Sequence, residues 1–474
     1  MTLMRNRGFR ALSAAALALA LIALPAQAEV GRATDATVAG PMAHIRALQD
    51  IADANGGNRA AGTAGYDRSA DYVAERLRGA GYDVRFEEFT FPFFEERSPP
   101  VLALTPTPAA TGEVRTLANS GAGDVAARLM PVRLDVSADT PPEASASGCA
   151  PEDFSGFERG AVALMRRGTC PFQAKVENAA AAGAGGVVIM NEGTSGRTDP
   201  FRGTLMRPAS IPVVGVSFEH GKALASAAAA PDGASVRLAV DAVTETRTTR
   251  NVLAAVPGEE KRTVVIGAHL DSVREGPGMN DNGSGSAAVL EAALKVAGSP
   301  AAARLRFAFW GAEERGLLGS RHHVARLSDD ERRTIGLYLN LDMVGSPNFG
   351  RFVQGPAAAP ETLGGAARRA LVSYFKDRAL PVEERTGARP RGVGSDDASF
   401  ADKGVPTLGL YTGAGEPKSE AHAALFGGTA GRPYDPCYHR ACDTVENVSA
   451  EVLDQVTAAL VHALGALDHR NPLP

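Results

Sequence analysis

Excess charge, long apolar runs and closely spaced cysteines are all scarce in this chain. Its 474 residues carry a net charge of only −5, which gives no electrostatic reason to expect nucleic acid as a partner. Beyond one N-terminal stretch, no segment is long and apolar enough to span a bilayer. The four cysteines never occur as Cys-x-x-Cys, which argues against a zinc finger. What remains is the composition of a soluble globular protein, long enough for two folded units.

The one long apolar stretch lies at the N-terminus. Three arginines within the first ten residues precede a run rich in alanine and leucine over residues 11–24, and Ala26-Gln27-Ala28 follows it. This order is typical of a secretory signal peptide, here residues 1–28, cleaved after Ala28. A membrane anchor is the alternative, but the run is short for a bilayer span. We therefore predict a secreted or periplasmic protein, monomeric and without membrane association in its mature form.

Export permits disulfide bonds, and the four cysteines fall into two local pairs. Cys149 and Cys170 share one sequence neighbourhood, and Cys437 and Cys442 share another. Four cysteines allow three connectivities, of which we favour the one that joins each local pair. The second bond would close a tight loop, and its expected value is local rigidity more than global stability.

Composition and hydrophobic periodicity divide the mature chain into three segments. Residues 29–110 contain two amphipathic helices and a strand-like stretch, and we assign them to the N-terminal part of the main domain. Sequence rich in proline, alanine, threonine and glycine from about residue 99 to 150 marks the transition to an insert, which we assign to residues 111–245. Alternating strand and helix patterns then run to the C-terminus, so residues 246–474 complete the main domain.

The insert has a pattern of its own. An apolar strand at residues 161–165 runs into Arg166-Arg167-Gly168-Thr169-Cys170-Pro171-Phe172, and the helix that follows ends at Gly183-Ala184-Gly185. This combination resembles the protease-associated (PA) domain, which is a non-catalytic insert. A generic small α/β insert is the alternative.

Three predicted strands of the main domain each end in residues that could bind a metal ion. One strand leads to His269, the next to Glu313 and Glu314, and a third to Asp342, while Asp281 lies in a glycine-rich turn beyond the first. Open α/β sheets place their chemistry at the carboxyl ends of strands, and imidazole and carboxylate groups are zinc ligands. Any one of these residues could instead be a surface histidine, a helix cap or a turn former. Their occurrence after successive strands favours a site.

A second histidine is needed to complete a pair of metal sites. His439 provides it within the loop Cys437-Tyr438-His439-Arg440-Ala441-Cys442-Asp443. The alternative is a surface disulfide loop with an incidental histidine.

Together these motifs resemble the secreted di-zinc leucyl aminopeptidases of the Streptomyces type. The resemblance covers most of residues 251–448, with weaker agreement over residues 55–82, where Gly56-Gly57-Asn58-Arg59 occurs. It implies a mixed, mostly parallel central sheet flanked by helices, with the PA domain inserted. The other matching stretches are His269-Leu270-Asp271-Ser272-Val273, Gly276-Pro277-Gly278, Asp281-Asn282-Gly283-Ser284-Gly285, Ala312-Glu313-Glu314, Asn340-Leu341-Asp342-Met343 and Cys437-Tyr438-His439.

The resemblance also implies a role for each matching residue. Two zinc ions would be the cofactors, and calcium is not indicated. Asp281 would bridge both ions. The remaining ligands would be His269 and Asp342 at one site and Glu314 and His439 at the other.

The resemblance assigns the chemistry to neighbouring groups. Glu313 would act as general base, and Tyr438 would hydrogen-bond the oxyanion of the tetrahedral intermediate. Asp271 would accept a hydrogen bond from the imidazole of His269 and fix its tautomer. An unusual cis peptide would follow the bridging residue, at Asp281-Asn282.

The substrates implied are the N-termini of peptides or proteins, with a preference for hydrophobic residues such as leucine. One departure bears on that preference. Members of the family commonly have Gly-Arg-Ser-Asp-His where this chain has Val393-Gly394-Ser395-Asp396-Asp397, so an arginine expected near the substrate amine or its side-chain pocket is missing. Arg391 is a nearby substitute.

Two other functions share parts of this plan. Receptor ectodomains can combine the same two domains after losing their zinc ligands, but all five ligands and Glu313 are present here. Glutaminyl cyclases share the sheet and use one zinc ion for a transferase reaction. The number of bound metal ions and the products would distinguish them from an aminopeptidase.

Overall fold

The computed structural model describes residues 40–105, 112–137, 145–194, 196–256, 263–299, 305–387 and 394–467. The predicted signal peptide, its cleavage site and Arg391 lie outside these ranges. Among the helices within them, none has the length and apolar character needed to cross a membrane.

The N-terminal segment supplies two helices and one long strand to the main domain. The second helix begins at an N-cap, because the Thr63 side chain accepts a hydrogen bond from the N–H of Tyr66. The strand continues through the proline-rich stretch and pairs along its length with a second long strand, as an antiparallel ribbon with register shifts near Ser98. These elements are α1 (Gly40–Ala54), α2 (Ala64–Gly79) and β1 (Asp83–Thr105).

The insert is connected to the main domain through this ribbon. Its strands form a small sheet that joins the ribbon where β3 pairs with β7, and a buried apolar core lies on each face of that sheet. The elements are β2 (Val114–Thr116), β3 (Gly123–Pro131), β4 (Val162–Arg166), α3 (Phe172–Ala181), β5 (Gly186–Met190), β6 (Val213–Val216), α4 (Phe218–Ala228) and β7 (Ser235–Ala255), the second strand of the ribbon. The Cys149–Cys170 bond lies in the insert, and Cys437–Cys442 lies in the main domain, as the local pairing predicted.

The rest of the chain completes the main domain. Its elements are β8 (Thr263–His269), α5 (Gly285–Val296), β9 (Leu305–Trp310), α6 (Leu318–Arg326), α7 (Asp329–Thr334), β10 (Ile335–Leu341), β11 (Phe352–Gln354), α8 (Leu363–Lys376), β12 (Glu383–Arg385), α9 (Asp397–Ala401), β13 (Thr407–Tyr411), α10 (Glu420–Phe426) and α11 (Ala450–Ala466). The strand order is β12-β11-β13-β10-β8-β9-β7, in which β13, β10, β8 and β9 run parallel.

Helices cover both faces of this sheet, which explains why its central strands are apolar throughout. On one face, α1, α5, α8 and α11 pack into the largest core, while on the other Trp310, Tyr338 and Phe400 form a second core with α6 and α9. Every residue of β8 is buried, as expected for a parallel strand covered on both sides. The predicted fold class, a mixed and mostly parallel sheet flanked by helices with an inserted smaller α/β domain, is therefore confirmed.

Candidate metal centre

The candidate metal ligands meet because three parallel strands end at the same edge of the sheet. His269 is the last residue of β8, Glu313 and Glu314 follow β9, and Asp342 follows β10. Since β9, β8 and β10 are adjacent and parallel, their carboxyl ends lie side by side.

Two groups of ligand atoms lie around the carboxylate of Asp281. The Nε2 atom of His269 is 3.4 Å from Asp281 Oδ1 and 3.5 Å from Asp342 Oδ1. The Nε2 atom of His439 is 3.1 Å from Asp281 Oδ2 and 3.3 Å from Glu314 Oε2. In each group of three residues the ligand atoms lie within 4.8 Å of one another. Asp281 therefore offers one oxygen to each group.

The chemistry of these groups fits zinc. Each combines one imidazole nitrogen with carboxylate oxygens, which are ligands that zinc accepts. Within the described part of the chain, Glu314 Oε1 is buried and has no hydrogen-bond partner. A buried carboxylate oxygen without a partner is costly unless a cation lies beside it.

The pKa values of the two histidines also indicate a site for cations. Burial disfavours a charged imidazolium, but hydrogen bonds with Asp281 and Glu314 raise the pKa of His439 to about 10. Burial also opposes the charge on His269, yet Glu313 and Asp342 raise its pKa well above the ordinary value. The acidic cluster thus favours positive charge on the two histidines, which a proton on each ring would carry. Divalent ions would displace those protons, as metal binding at histidine commonly does.

Glu313 lies beside the same cluster. Its Oε2 atom is 3.9 Å from the Nε2 atom of His269. Burial raises the pKa of Glu313 well above its ordinary value against the influence of His269, and Asp396 and Asp342 add to the effect. A carboxylate with a raised pKa beside a metal site is suited to take up and release a proton.

Asp271 accepts the predicted hydrogen bond from His269 through its main chain, while its side chain binds the next loop. The Nδ1–H group of His269 donates to the main-chain carbonyl of Asp271 at 3.1 Å, while the carboxylate lies 3.7 Å from that nitrogen. The two carboxylate oxygens instead accept the main-chain N–H groups of Glu313 at 3.1 Å and Glu314 at 3.3 Å. Asp271 therefore fixes the tautomer through its carbonyl and ties the loop after β8 to the loop after β9.

This difference gives a prediction for Asp271→Asn. An asparagine has one acceptor oxygen, and its amide would place N–H against one of the two main-chain N–H groups. We expect kcat to fall about 10- to 100-fold, as for other residues that support a metal site, while the zinc content stays unchanged. Steady-state kinetics and metal analysis measure both quantities. Loss of zinc with an unchanged kcat per bound ion would show that the carboxylate acts through His269.

The disulfide loop presents His439 and Tyr438 together. His439 has a φ of +56°, in the left-handed region, and its ring stacks on that of Tyr438 with centroids 3.9 Å apart. Burial, with the charges of Asp281 and Glu314, raises the pKa of Tyr438, so the phenol keeps its proton and can donate a hydrogen bond. A short disulfide-closed loop limits how far either side chain can move.

A buried polar network that the sequence did not reveal holds this loop to the Asp281 turn. The carboxylate of Asp443 accepts the main-chain N–H groups of Asn280 at 2.9 Å and Asp281 at 3.0 Å. Asn447 donates to both Asp435 and Asp443 at 2.9 Å. Asp443 is part of the loop motif named above, but the sequence assigns it no role. The only signal for one is its position directly after Cys442.

The Asp281 turn is also tied to the end of β10. The peptide between Asp281 and Asn282 is cis, as the resemblance implied. The side chain of Asn282 donates to Leu341 O at 2.9 Å and accepts from the N–H of Met343 at 3.2 Å. These contacts fix the turn against the residues that flank Asp342.

A cavity of about 450 Å³ opens over the cluster. Its wall beyond the candidate ligands, Glu313 and Tyr438 is formed by Met343, Gln354, Gly394, Ser395, Tyr411 and Ala414. Gly394 stands at the position of the family arginine, and among the described residues of that motif the cavity is lined by Gly394 and Ser395.

Comparison with known proteins decides the family. An aminopeptidase of Pseudomonas aeruginosa is 41% identical over 428 residues, which cover 86% of this chain and 77% of that protein. The chain belongs to peptidase family M28. The sequence pattern of that family matches residues 251–464, and the PA domain pattern matches residues 132–224.

Two further relatives agree. Leucine aminopeptidase 2 of Trichophyton rubrum is 32% identical over 434 residues, covering 89% of this chain and 82% of that protein. The crystal structure of BSAP, a zinc aminopeptidase from Bacillus subtilis, superposes with a TM-score of 0.61 at 25% identity, covering 90% of this chain and 97% of the other. The chain is thus an M28 metallo-aminopeptidase, a hydrolase acting on peptide bonds, and the predicted membership of an aminopeptidase family with a PA insert is confirmed.

Proposed function

We propose that the protein is an exported aminopeptidase that binds two zinc ions and removes hydrophobic N-terminal residues, leucine above all, from peptides. The observation that carries the proposal is the carboxylate of Asp281, whose two oxygens face two separate groups of ligand atoms. His269 and Asp342 would complete one zinc site, and Glu314 and His439 the other. The bridging position favours a pair of ions over a single one.

When bound, two neighbouring zinc ions polarise the scissile carbonyl and make water a stronger acid. Glu313 would take the proton from the attacking water and deliver it to the leaving amine, a role that suits its raised pKa. Tyr438 would donate its phenolic hydrogen to the oxyanion that forms on the substrate carbonyl. The substrate's free amine would meet the acidic cluster around Glu313 and Asp342, which favours cleavage at the N-terminus of a chain.

The preference for leucine is supported by the cavity wall. Met343 and the ring of Tyr411 offer apolar surface beside the metal cluster, and no arginine lines the cavity among the residues that the structure describes. Tyr411 is held in place because its hydroxyl donates to Glu416 at 3.1 Å. A relative named leucine aminopeptidase 2 agrees with this preference.

Two disulfide bonds support export, since such bonds persist in oxidising compartments. We propose cleavage after Ala28, a secreted or periplasmic mature protein, and activity as a monomer without nucleic-acid or membrane partners. Residues 29–110 and 246–474 would form the peptidase domain, and residues 111–245 the PA insert.

The test is a panel of aminoacyl-p-nitroanilides assayed before chelation, after chelation and after addition of zinc. We expect the leucine substrate to be cleaved fastest, activity to vanish with the chelator and to return with about two zinc ions per chain. Acetylated leucine-p-nitroanilide, which lacks the free amine, should remain intact. Equal cleavage of free and acetylated substrates would refute the exopeptidase, and one zinc ion with pyroglutamate formation would indicate a cyclase.

A further inference from the structure

Arg59 is a buried cation beneath the metal centre that the proposed reaction does not use. It ends the stretch Gly56-Gly57-Asn58-Arg59 between α1 and α2, and its side chain has no exposed surface. Burial lowers the pKa of Arg59 to about 10, while Asp271, Asp443 and Asp281 act to raise it. The guanidinium is therefore charged at neutral pH, and a buried charge requires partners.

Those partners all belong to the loop between two candidate ligands, His269 and Asp281. The guanidinium donates from Nε to Pro277 O at 3.0 Å, from Nη2 to Gly278 O at 2.6 Å and from Nη1 to Leu270 O. The first two carbonyls lie shortly before Asp281, and the third directly follows His269. A single side chain thus joins the start of the loop to its end.

The main chain of Arg59 is held to the same loop. Its N–H donates to Ser272 Oγ at 2.9 Å, and its carbonyl accepts the N–H of Ser272 at 3.3 Å. The loop has little room to adjust, because Gly278 has a φ of +66° and a Cβ there would lie 2.3 Å from Asp281 O. A planar guanidinium with fixed donor directions can set the spacing of three carbonyls in a way that an ammonium cannot.

We propose that Arg59 is a positioning residue that sets the distance between His269 and Asp281 and so tunes zinc affinity at the paired site. This inference rests on the proposed di-zinc function. Its effect passes through the loop backbone, because the guanidinium contacts carbonyl groups and neither ligand side chain. The competing explanation is that Arg59 only stabilises the fold.

The test compares Arg59→Lys with Arg166→Lys. Arg166 is the control, since it is also fully buried and, among the described residues, also donates to main-chain carbonyls, including those of Asp135, Ser137 and Glu192, but in the insert. Zinc dissociation constants are measured on metal-free protein by competition with a chromophoric chelator. Circular dichroism and the Tm of the metal-free proteins report on folding.

We expect Arg59→Lys to weaken zinc binding about 10- to 100-fold, in line with other residues that orient metal ligands, and to reduce the rise in Tm that zinc produces. Arg166→Lys should lower the Tm of the metal-free protein and leave the zinc dissociation constants unchanged. Equal zinc affinities in wild type and Arg59→Lys would overturn the proposal, whatever the Tm of the metal-free variant.

A milder variant keeps the proposal testable if Arg59→Lys does not fold. Ser272→Ala leaves the guanidinium contacts in place but removes the hydroxyl that accepts the Arg59 N–H and that also donates to Val273 O and Gly276 O within the loop. We expect a smaller loss of zinc affinity, about threefold to tenfold, consistent with the neutral hydrogen bonds that this hydroxyl makes to Arg59 and within the loop. Unchanged affinity in this variant would count against the proposal. A wild-type protein that binds fewer than two zinc ions would instead refute the proposed function.

Discussion

Glu313→Gln is expected to lower kcat about 10²- to 10⁴-fold while the protein still binds its full complement of zinc. The amide has nearly the size of the carboxylate but cannot accept a proton at neutral pH, so the proton from the attacking water would lose its acceptor. Glu313 lies 3.9 Å from His269 and directly before the candidate ligand Glu314. The measurement combines steady-state kinetics on leucine-p-nitroanilide with metal analysis of the same sample.

The neighbouring residue provides the matched comparison. Glu314→Gln makes the same chemical change one position along the chain, at a residue whose carboxylate lies 3.3 Å from His439. This variant should lose zinc as well as activity, because an amide is a poor zinc ligand. If Glu313→Gln also lost zinc, or kept more than a tenth of wild-type kcat, Glu313 would be a ligand or a bystander and not the base.

Three of the five candidate metal ligands could be placed together from the sequence because they stand at the ends of strands. His269, Glu314 and Asp342 come after three apolar runs that form adjacent parallel strands, and parallel strands bring their carboxyl ends together. The apolar pattern that predicts a strand therefore also predicts that the residue at its carboxyl end lies at the edge of the sheet where the site forms. The two disulfide bonds were predictable for a similar reason, because each joins cysteines close in sequence.

The support beneath the centre could not be predicted in this way. Arg59 contacts carbonyl groups more than 200 positions away, and Asp443 accepts main-chain N–H groups more than 160 positions away. Hydrogen bonds to main-chain atoms leave no trace in the identity of the partner residue. The same limit applies to Asp271, because a sequence does not show whether its main-chain carbonyl or its carboxylate accepts the hydrogen bond from His269.

The ribbon that carries the insert was only partly foreseeable. The sequence indicates a strand-like stretch within residues 29–110 but not where it ends, and β1 extends to Thr105 through Pro99 and Pro100. Proline weakens a strand prediction because it cannot donate to a ladder. Here a shift in register between Ser98 and Val101 accommodates the two prolines, and the long pairing with β7 resumes beyond them.

Asp281→Ala is expected to abolish binding at both zinc sites, with loss of activity beyond that of any single-site variant. The two oxygens of Asp281 face different histidines, at 3.4 Å from His269 and 3.1 Å from His439. Removing the carboxylate takes one ligand from each site. Each site then keeps only one histidine and one carboxylate to hold an ion. Metal analysis and zinc titration of the metal-free protein measure the result.

Asp342→Asn is the control variant for this prediction, because it removes a ligand from one site only. Asp342 belongs to the group around His269 and not to the group around His439, so its loss should cost one zinc ion and leave the second in place. If Asp281 bridges the two sites, Asp281→Ala should lose two zinc ions and Asp342→Asn only one, although each substitution removes a single carboxylate. If Asp281→Ala also retained one tightly bound ion, its carboxylate would serve one site only, and the shared position that carries the di-zinc proposal would have to be abandoned.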